Sequence, residues 1–335
     1  MPNQLDRQRL IALLAEAPRQ RVAIVGDAML DVYLRGDVER ISPEAPVPVV
    51  RVRDRRYALG GAANVAQNVA ALGARPELIA TVGRDAAGDR LREMLAGLGA
   101  DPGAVVDVGR PTTTKTRLLA RAQQVVRFDE EEDGDLNGEA ADGIMDAVSR
   151  AVADADALVL EDYNKGVLVP AVIEQSIALA RARGIPIVVD PKYRHFFAYR
   201  GATVFKPNRR ELESALGAAV DLEQPSALPE ALERLGAENL LLTLGEHGMA
   251  VISPDGSVDR IPTTAREVYD VVGAGDTVTA YLAVMLAAGA TVREAAVVAN
   301  FAAGVGVGKL GAATVLPEEV VEAYDHYIGE LAGRA

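Results

Sequence analysis

The chain has 335 residues, a formal net charge of −13 and 49% hydrophobic residues, which is enough apolar material for a sizeable core. It contains no cysteine, so disulfides, thiolate metal sites and a cysteine nucleophile are excluded. The acidic balance argues against a nucleic-acid partner. The charged N-terminus and the short apolar runs argue against a signal peptide or a membrane partner, and we expect a cytoplasmic protein.

Predicted strands and helices alternate along most of the chain. In order, the patterns predict a helix at 5–17, strands at Val22–Val25 and Leu78–Val82, a helix at Ala87–Leu98, a strand at Ala157–Leu160, a helix at Pro170–Arg183, strands at Ile185–Val189 and Asn239–Thr243, and helices at 274–288, 291–303 and 317–332. Such alternation is typical of a mostly parallel sheet with helices on both faces. Ligands of these sheets bind beyond the carboxyl ends of the strands.

Two segments, residues 32–57 and 112–128, interrupt this alternation. Both are rich in β-forming residues and lack a helical period, and the prolines of the first segment suit an edge strand or an irregular ribbon. We predict that they form a small lid outside the main sheet. The alternative is a pair of ordinary surface hairpins. The acidic run Asp129–Asp133 is predicted to be a solvated loop.

The most informative motif is DVVGAGDT at residues 270–277, which an apolar helix follows. Unpaired backbone N–H groups and the helix dipole make such a small-residue helix start a site for an anion. We therefore predict that the amides of Gly273, Ala274 and Gly275 form an anion hole beside Asp276. An ordinary capped helix start is the alternative for this motif taken alone.

A second motif, GGAANVAQNVAALG, occupies residues 60–73. Its paired glycines, Gly60 and Gly61, permit a close backbone approach, and the Asn64 amide is suited to hydrogen bonds with sugar hydroxyls. Taken alone, the motif also fits an alanine-rich helix that ends at Gly73 as a glycine C-cap.

Together the two motifs resemble the N-terminal and C-terminal signatures of the ribokinase-like (PfkB) carbohydrate kinases. Three shorter segments extend the resemblance over nearly the whole chain: GDAMLD at 26–31, KPNRRE at 206–211 and TLGEHG at 243–248. The resemblance implies a three-layer α/β/α sandwich with a mostly parallel central sheet and a small β lid, as a single kinase domain over residues 1–335. It also implies ATP and Mg²⁺ as cofactors, and a sugar phosphate and ATP as binding partners.

Further segments resemble those family members that phosphorylate D-glycero-β-D-manno-heptose 7-phosphate at C1, a step of ADP-heptose synthesis for lipopolysaccharide. They are RISPEAPVPV at 40–49, EDYNKG at 161–166, DPK at 190–192, EVYD at 267–270 and GKLG at 308–311. Many such relatives carry a C-terminal nucleotidyltransferase domain; because the sequence ends soon after the last predicted helix, we expect a free-standing kinase without it. A kinase for another sugar or nucleoside remains an alternative. So does a non-catalytic sugar-phosphate sensor, although a pure binder has no need of Asp276.

The resemblance assigns Asp276 as the base that accepts the proton of the sugar hydroxyl. It assigns nucleotide binding to eight positions: Asn208, Arg209, Arg210, Glu211, Thr243, Gly245, Gly248 and Asn300. Glu211 is also expected to hold Mg²⁺ through water. Asn208 and Glu211 also fit the N-cap and capping box of a helix, and the two interpretations are compatible.

The acceptor site is expected at residues from the first half of the chain and from the segments after two later strands. Sugar contacts are assigned to Asp31, Gly60, Gly61, Asn64 and Asp162, and contacts to the 7-phosphate to Arg117, Arg127, Lys165 and Lys192. The alternative for the two arginines is a solvated strand face, and for Asp31 a turn. Asp270 is a candidate ligand of a monovalent cation such as K⁺, although Val272 offers no side-chain oxygen.

Three other features do not indicate a site. The letters of Gly306–Gly311 match a dinucleotide fingerprint, but no predicted strand precedes them, which disfavours a dinucleotide-dependent oxidoreductase. Gly304–Lys309 resembles a P-loop, but its spacing is one residue short and Leu310 replaces the Ser or Thr. The three histidines have no metal-ligand spacing. By analogy with the family, we expect a homodimer that pairs through the lid.

Overall fold

A computed structural model describes residues 5–99, 105–120, 123–222, 228–265 and 267–334. Its strands are β1 Arg21–Gly26, β2 Ala28–Ile41, β3 Pro48–Gly61, β4 Arg75–Gly83, β5 Val105–Val108, β6 Thr114–Ala120, β7 Gln123–Glu130, β8 Ala157–Glu161, β9 Ile187–Asp190, β10 Val204–Phe205, β11 Asn239–Thr243, β12 Met249–Ile252 and β13 Val258–Ile261. Its α-helices are α1 Arg7–Glu16, α2 Ala62–Ala71, α3 Ala86–Gly97, α4 Gly138–Asp154, α5 Pro170–Arg183, α6 Arg209–Leu216, α7 Leu228–Leu235, α8 Ala274–Ala287, α9 Val292–Gly306 and α10 Pro317–Arg334.

The central sheet has nine strands in the order β13-β12-β11-β10-β9-β8-β1-β4-β5. In this spatial order, the seven neighbouring strands that start with β11 and finish with β5 pair in parallel. Strands β12 and β13 add an antiparallel edge. Strand β1 lies between β4 and β8, and its residues Val22, Ala23, Ile24 and Val25 are fully buried. A strand covered on both faces has to be apolar at every position, which is why this run does not alternate.

The two faces of the central sheet carry separate apolar cores. One core joins Val22 and Ile24 to residues of α1, α2, α3, α8, α9 and α10, and the other joins Ala23 and Val25 to α4, α5, α6 and α7. Side chains that alternate along β1 therefore enter opposite cores, as the period of a strand requires. The predicted three-layer arrangement with a mostly parallel sheet is confirmed.

The two interrupting segments lie in a separate four-stranded sheet with the order β3-β2-β6-β7, called here the small sheet. Its strands extend beyond the first predicted segment at both ends and beyond the second only at its end, so that the sheet comprises 28–41, 48–61, 114–120 and 123–130. The prediction of a loop at Asp129–Asp133 was wrong at its start, because Asp129 and Glu130 pair with β6.

Several elements differ from the predicted ones for local reasons. Strand β9 begins at Ile187 because Gly184 adopts a left-handed conformation (φ 68°) and the Ile185 N–H still bonds back to the carbonyl of Ala180. Helix α4 and the β12–β13 hairpin were not predicted. None of the described helices combines the length and the apolar character that a membrane crossing needs.

Candidate active site

Polar groups gather at the carboxyl edge of the central sheet. Asp27 follows β1, Glu161 ends β8, Asp190 ends β9 and Lys206 follows β10, and each of these four side chains is buried. The first turn of α8 carries Asp276 to the same edge, where its oxygens approach those of Glu161 and Asp190. Parallel strands place their carboxyl ends together, and this convergence assembles the site from segments far apart in the sequence.

Asp276 is held on both sides by hydrogen-bond donors. Its Oδ2 accepts a hydrogen bond from Asn64 Nδ2 at 2.6 Å, and its Oδ1 accepts one from the hydroxyl of Tyr163 at 2.8 Å. Burial raises the pKa of Asp276 to about 6, against the opposing effect of these two bonds. The residue is 4% exposed, so the carboxylate is desolvated and fixed, as suits a base that must meet a substrate in one orientation.

A chain of amides orients Asn64. Asn68 Nδ2 donates to Asn64 Oδ1 at 3.2 Å, and Thr277 Oγ1 donates to Asn68 Oδ1 at 3.3 Å. With its oxygen engaged, Asn64 presents its Nδ2 to Asp276. The close approach also depends on Gly273, which has a φ of 79°; a Cβ there would lie 2.7 Å from Asn64 Nδ2.

The start of α8 offers unpaired amides, as the motif predicted, but not all of the predicted ones. The first intrahelical bond runs from Thr277 N–H to the Gly273 carbonyl, so the N–H groups of Gly275 and Asp276 precede the helical ladder. The Ala274 N–H already donates to the Val271 carbonyl at 3.3 Å. Of the predicted amides, Ala274 is thus engaged, whereas Gly275 and its neighbour Asp276 offer N–H groups that the helix itself does not use.

Three buried carboxylates and one lysine lie behind this helix start. One oxygen each of Glu161, Asp190 and Asp276 lies within 4.8 Å of the others, and Lys206 Nζ donates to Asp190 at 2.7 Å. Burial and the neighbouring carboxylates raise the pKa of Glu161 well above its usual range. Both oxygens of Glu161 lack a hydrogen-bond partner among the described residues, so the cluster has capacity for a proton or a cation.

A cavity of about 930 Å³, called here the main cavity, opens beside the start of α8. Ala274, Gly275, Tyr163 and Lys206 line it. All eight residues assigned to the nucleotide line it as well: Asn208, Arg209, Arg210, Glu211, Thr243, Gly245, Gly248 and Asn300. Residues from five separate elements and loops thus meet in one space whose size suits a nucleotide.

Glu211 is already engaged in this cavity. Its Oε2 accepts from the Asn208 N–H at 2.8 Å while Asn208 Oδ1 accepts from the Glu211 N–H at 2.9 Å, which is a complete capping box. Its other oxygen pairs with Lys192. Lys192 was expected beside the sugar phosphate, and the structure places it instead among the nucleotide candidates.

The small sheet turns one polar face toward the other side of Asp276. Asp31 on β2, Lys115 and Arg117 on β6 and Arg127 on β7 share this face, since Asp31 pairs in register with Lys115, and Arg117 with Arg127. Gly60 and Gly61 end β3 opposite Met29 and Ala28. The predicted sugar contacts Asp31, Gly60, Gly61 and Asn64 therefore come from one end of the small sheet and the adjoining start of α2.

All four cations predicted for the substrate phosphate have carboxylate partners in this structure, Lys192 through Glu211 as described above. Arg117 donates to Asp31 at 2.7 Å, Lys165 pairs with Glu131 at 2.8 Å, and Arg127 pairs with Asp129 at 2.5 Å. Lys115 was not predicted, yet it forms no ion pair within the part of the chain that the structure describes. Burial lowers the pKa of this lysine, so an anion that reached it would strengthen its charged form.

Three remaining candidates have structural partners. Asp162 accepts from the Tyr199 hydroxyl at 2.7 Å. Asp270 accepts from the backbone N–H groups of Val272 and Gly311, which ties two loops together, and Asn300 Nδ2 donates to the Pro262 carbonyl. Lys309, within the rejected P-loop letters, pairs with Glu319.

Sequence reasoning missed Tyr163, Lys115, Lys206 and Asp27 as members of the site. Three of them lie inside segments that carried the family resemblance, and Lys115 lies in the lid segment. A polar residue directly after a fully apolar strand was the available signal for Asp27 and Lys206, because such positions lie at the ligand-binding edge.

Comparison with known families and sequences agrees with this geometry. A family model described as pfkB family carbohydrate kinase matches residues 19–319. The bifunctional protein HldE of Rhodospirillum rubrum is 45% identical over 317 residues, covering 94% of this chain and 64% of that protein. HldE of Geobacter sulfurreducens is 44% identical over 329 residues, covering 97% of this chain and 67% of that protein. The chain thus spans about two thirds of the length of these curated relatives.

Solved structures agree at the level of the fold. Ribokinase of Arabidopsis thaliana complexed with ribose and ATP superposes with a TM-score of 0.72 at 21% identity, covering 91% of this chain and 98% of that one. Phosphofructokinase-2 of Escherichia coli in complex with potassium gives a TM-score of 0.76 at 20% identity, covering 92% and 98%. The ribokinase-like fold predicted from the motifs is confirmed.

Proposed function

Because the chain belongs to the pfkB family of carbohydrate kinases, we propose that it transfers the γ-phosphoryl group of ATP to the C1 hydroxyl of D-glycero-β-D-manno-heptose 7-phosphate. One observation carries the catalytic part of this proposal. Asp276 lies buried at the start of α8 beside the main cavity, and its hydrogen-bond partner Tyr163 contacts Lys115 of the small sheet through its ring. A base in that position meets a nucleotide and a sugar from opposite directions.

The proposed reaction is in-line transfer with little covalent help from the protein. The acceptor hydroxyl would approach Asp276, whose carboxylate takes the proton as the oxygen–phosphorus bond forms. The N–H groups of Gly275 and Asp276 would donate to the transferring phosphoryl group, together with the helix dipole of α8. Lys206 and Lys192 add two positive charges to the wall of the main cavity, which offsets part of the charge of the phosphates.

The residues present fit Mg²⁺. Glu161 has two buried oxygens without partners among the described residues, Asp190 lies beside it, and Glu211 faces the main cavity. These carboxylates would hold the ion directly or through water, and the ion would neutralise charge on the ATP phosphates. A K⁺ role for Asp270 stays a weaker proposal, since both of its oxygens already accept backbone N–H groups.

The heptose phosphate is proposed from the narrower sequence resemblance, together with the cations of the small sheet. On the small sheet, Lys115 forms no ion pair among the described residues, and Arg117 and Arg127 share its face, each paired with one carboxylate. Lys165, in the loop after β8, pairs with Glu131. A phosphate that reached Lys115 would meet a charge that no carboxylate neutralises and could replace the carboxylates at the neighbouring cations, which favours an acceptor that carries its own phosphate. We assign Lys192 to the nucleotide because it lines the main cavity with Glu211.

We also propose that two copies associate through the small sheet. Val38, Val52, Val126 and Phe128 on this sheet are 39 to 46% exposed. Burial of such apolar side chains against a second copy would stabilise a dimer. Light scattering on the purified protein measures this directly, and a monomer at all concentrations would contradict it.

A substrate panel tests the proposed function. ATP consumption is measured with heptose 7-phosphate, ribose, fructose 6-phosphate and adenosine, and the product is mapped by phosphorus NMR. We expect turnover to be highest with heptose 7-phosphate and the new phosphate to be at C1. Preference for ribose, fructose 6-phosphate or adenosine would reassign the acceptor within the family. ATP turnover with no acceptor at all would contradict a sugar kinase.

A further inference from the structure

Tyr163 makes a contact that the proposed mechanism has not used. Its hydroxyl donates to Asp276 Oδ1 at 2.8 Å, while Asn64 donates to Oδ2 of the same carboxylate. The two donors come from different parts of the chain, one from the loop after β8 and the other from α2. Burial and the surrounding carboxylates raise the pKa of the Tyr163 hydroxyl well above its usual range, so it stays protonated and remains a donor.

The backbone around Tyr163 is fixed by a buried carboxylate. Asp27 accepts hydrogen bonds from the N–H groups of Tyr163 at 2.8 Å, Lys165 at 2.9 Å and Val167 at 3.2 Å. Asn164 between them has a φ of 54°, a conformation that non-glycine residues seldom adopt. A loop held this closely by one side chain keeps the phenol in a defined place.

The ring of Tyr163 is also held. The ammonium of Lys115, from the small sheet, lies 5.0 Å from the ring centroid, and that of Lys192, from the main cavity, lies 5.2 Å from it. Contacts of this kind between cations and an aromatic face are attractive. The phenol therefore lies between a cation on the acceptor side and a cation on the nucleotide side, with its hydroxyl on the carboxylate between them.

Two other buried tyrosine hydroxyls in this protein have purely structural hydrogen-bond partners. Tyr281 donates to the Val315 carbonyl and Tyr324 to the Leu5 carbonyl, far from Asp276. Tyr163 differs because its partner is the proposed base. A carboxylate bonded through one oxygen alone can still rotate about its Cβ–Cγ bond, whereas bonds to both oxygens fix its plane.

We propose that Tyr163 is a positioning residue: its hydroxyl, together with the Asn64 amide, fixes the plane of the Asp276 carboxylate so that a free lone pair faces the acceptor hydroxyl. The inference rests on the proposed function in that Asp276 is taken as the base. Tyr163 keeps its own proton throughout, and the proton of the acceptor hydroxyl goes to Asp276.

The variant Tyr163→Phe tests the inference, since it removes the hydroxyl and keeps the ring between the two lysines. Misplacement of a reacting group lowers the rate of the chemical step, so we expect kcat to fall about tenfold to a hundredfold. The KM values for ATP and for the acceptor should stay within about threefold, because ground-state contacts remain. Tyr281→Phe is the matched control: it removes a buried hydroxyl on α8 itself, and should lower the melting temperature while it leaves kcat near the wild-type value.

Three results would overturn the inference. One is a kcat of Tyr163→Phe within twofold of the wild type. Another is a rise in the acceptor KM with kcat unchanged, which would make Tyr163 a substrate contact. The third comes from a double-mutant cycle of Tyr163→Phe and Asp276→Ala in urea unfolding, which needs no substrate: additive effects would mean that the two side chains are not coupled. A wild type inactive on every sugar would contradict the proposed function instead, and the cycle would then decide the inference alone.

Discussion

The two sides of Asp276 are built differently. On the nucleotide side, the main cavity is already open, and all eight residues assigned to the nucleotide line it. On the acceptor side, Arg117, Arg127 and Lys165 each pair with a carboxylate of the chain, and those pairs have to open or rearrange before the cations meet a phosphate. We therefore expect a preformed nucleotide site and an acceptor site that its ligand completes.

Loss of the base should have the largest effect, because both sides depend on it. Asp276→Asn should lower kcat by about 10²-fold or more, the usual scale for removal of a general base. The variant should fold, because an amide oxygen can accept from Asn64 while the amide nitrogen donates to the Tyr163 oxygen. ATP binding measured by calorimetry should be unchanged. Near-native kcat would remove Asp276 from the mechanism.

Gly275→Ala tests the preformed side. A Cβ at this position would lie 3.7 Å from both Asp190 and Lys206, which is ordinary contact, so the fold should tolerate it. Gly275 lines the main cavity, and the added methyl would stand where a phosphoryl group meets the helix start. We expect kcat/KM to fall about tenfold or more, in proportion to the lost anion-hole contacts. Gly97→Ala, at a glycine of α3 that does not line the cavity and has open space around it, tests whether any loss is merely structural. Unchanged kinetics in Gly275→Ala would place the phosphate elsewhere.

The pH dependence of kcat/KM for the acceptor should report the buried base, because this ratio follows ionisations of the enzyme before the acceptor binds. Burial raises the pKa of Asp276 to about 6, and its ionised form is the proposed base. The ratio kcat/KM should therefore have its full value well above that pH and fall about tenfold for each unit below it. A solvated aspartate would instead lose activity only near pH 4. An acid limb that low, measured at saturating ATP and limiting acceptor, would contradict a desolvated base.

These contrasts also show what the sequence could and could not predict. The residues that line the main cavity could be grouped from the sequence because KPNRRE, TLGEHG and the α8 start are contiguous segments that carry the family resemblance. Helix α4 was missed although Ile144, Val148, Ala151 and Val152 recur at helical spacing, so the pattern was present and was not used.

Other features were beyond local reasoning. The hydrogen bond of Tyr163 to Asp276 joins residues that are 113 positions apart, and only the order of β1, β8 and β9 in the sheet brings them together. The ion pair of Lys192 with Glu211 was hidden from the sequence for the same reason. The letters DPK place it after β9 but do not say toward which neighbour it turns.

On the acceptor side, an unpaired cation should matter more than a paired one. Lys115 has no ion-pair partner in the described part of the chain, whereas the side chain of Arg127 is 44% exposed and bonds to Asp129. Lys115→Met should raise the KM for the sugar phosphate about tenfold and leave the KM for ATP unchanged, while Arg127→Met should change either value by less than about twofold. Equal changes of the sugar-phosphate KM in the two variants would show that the acceptor phosphate does not distinguish Lys115 from Arg127.

The smallest effect we expect is on protection from hydrogen exchange and not on the rate of turnover. If ligand completes the acceptor side, heptose 7-phosphate should slow hydrogen exchange in the strands of the small sheet, at 32–57 and 112–128, more than ATP alone does. The reason is that phosphate would displace carboxylates from Arg117 and Lys165 and draw the polar face of the sheet toward Asp276. The antiparallel edge β12–β13 is the internal control, because it lies away from the acceptor side and should not respond to the sugar.

Equal exchange with and without sugar phosphate would contradict a mobile lid. The two segments would then form a static sheet or a permanent contact between two copies, and the paired cations would be structural.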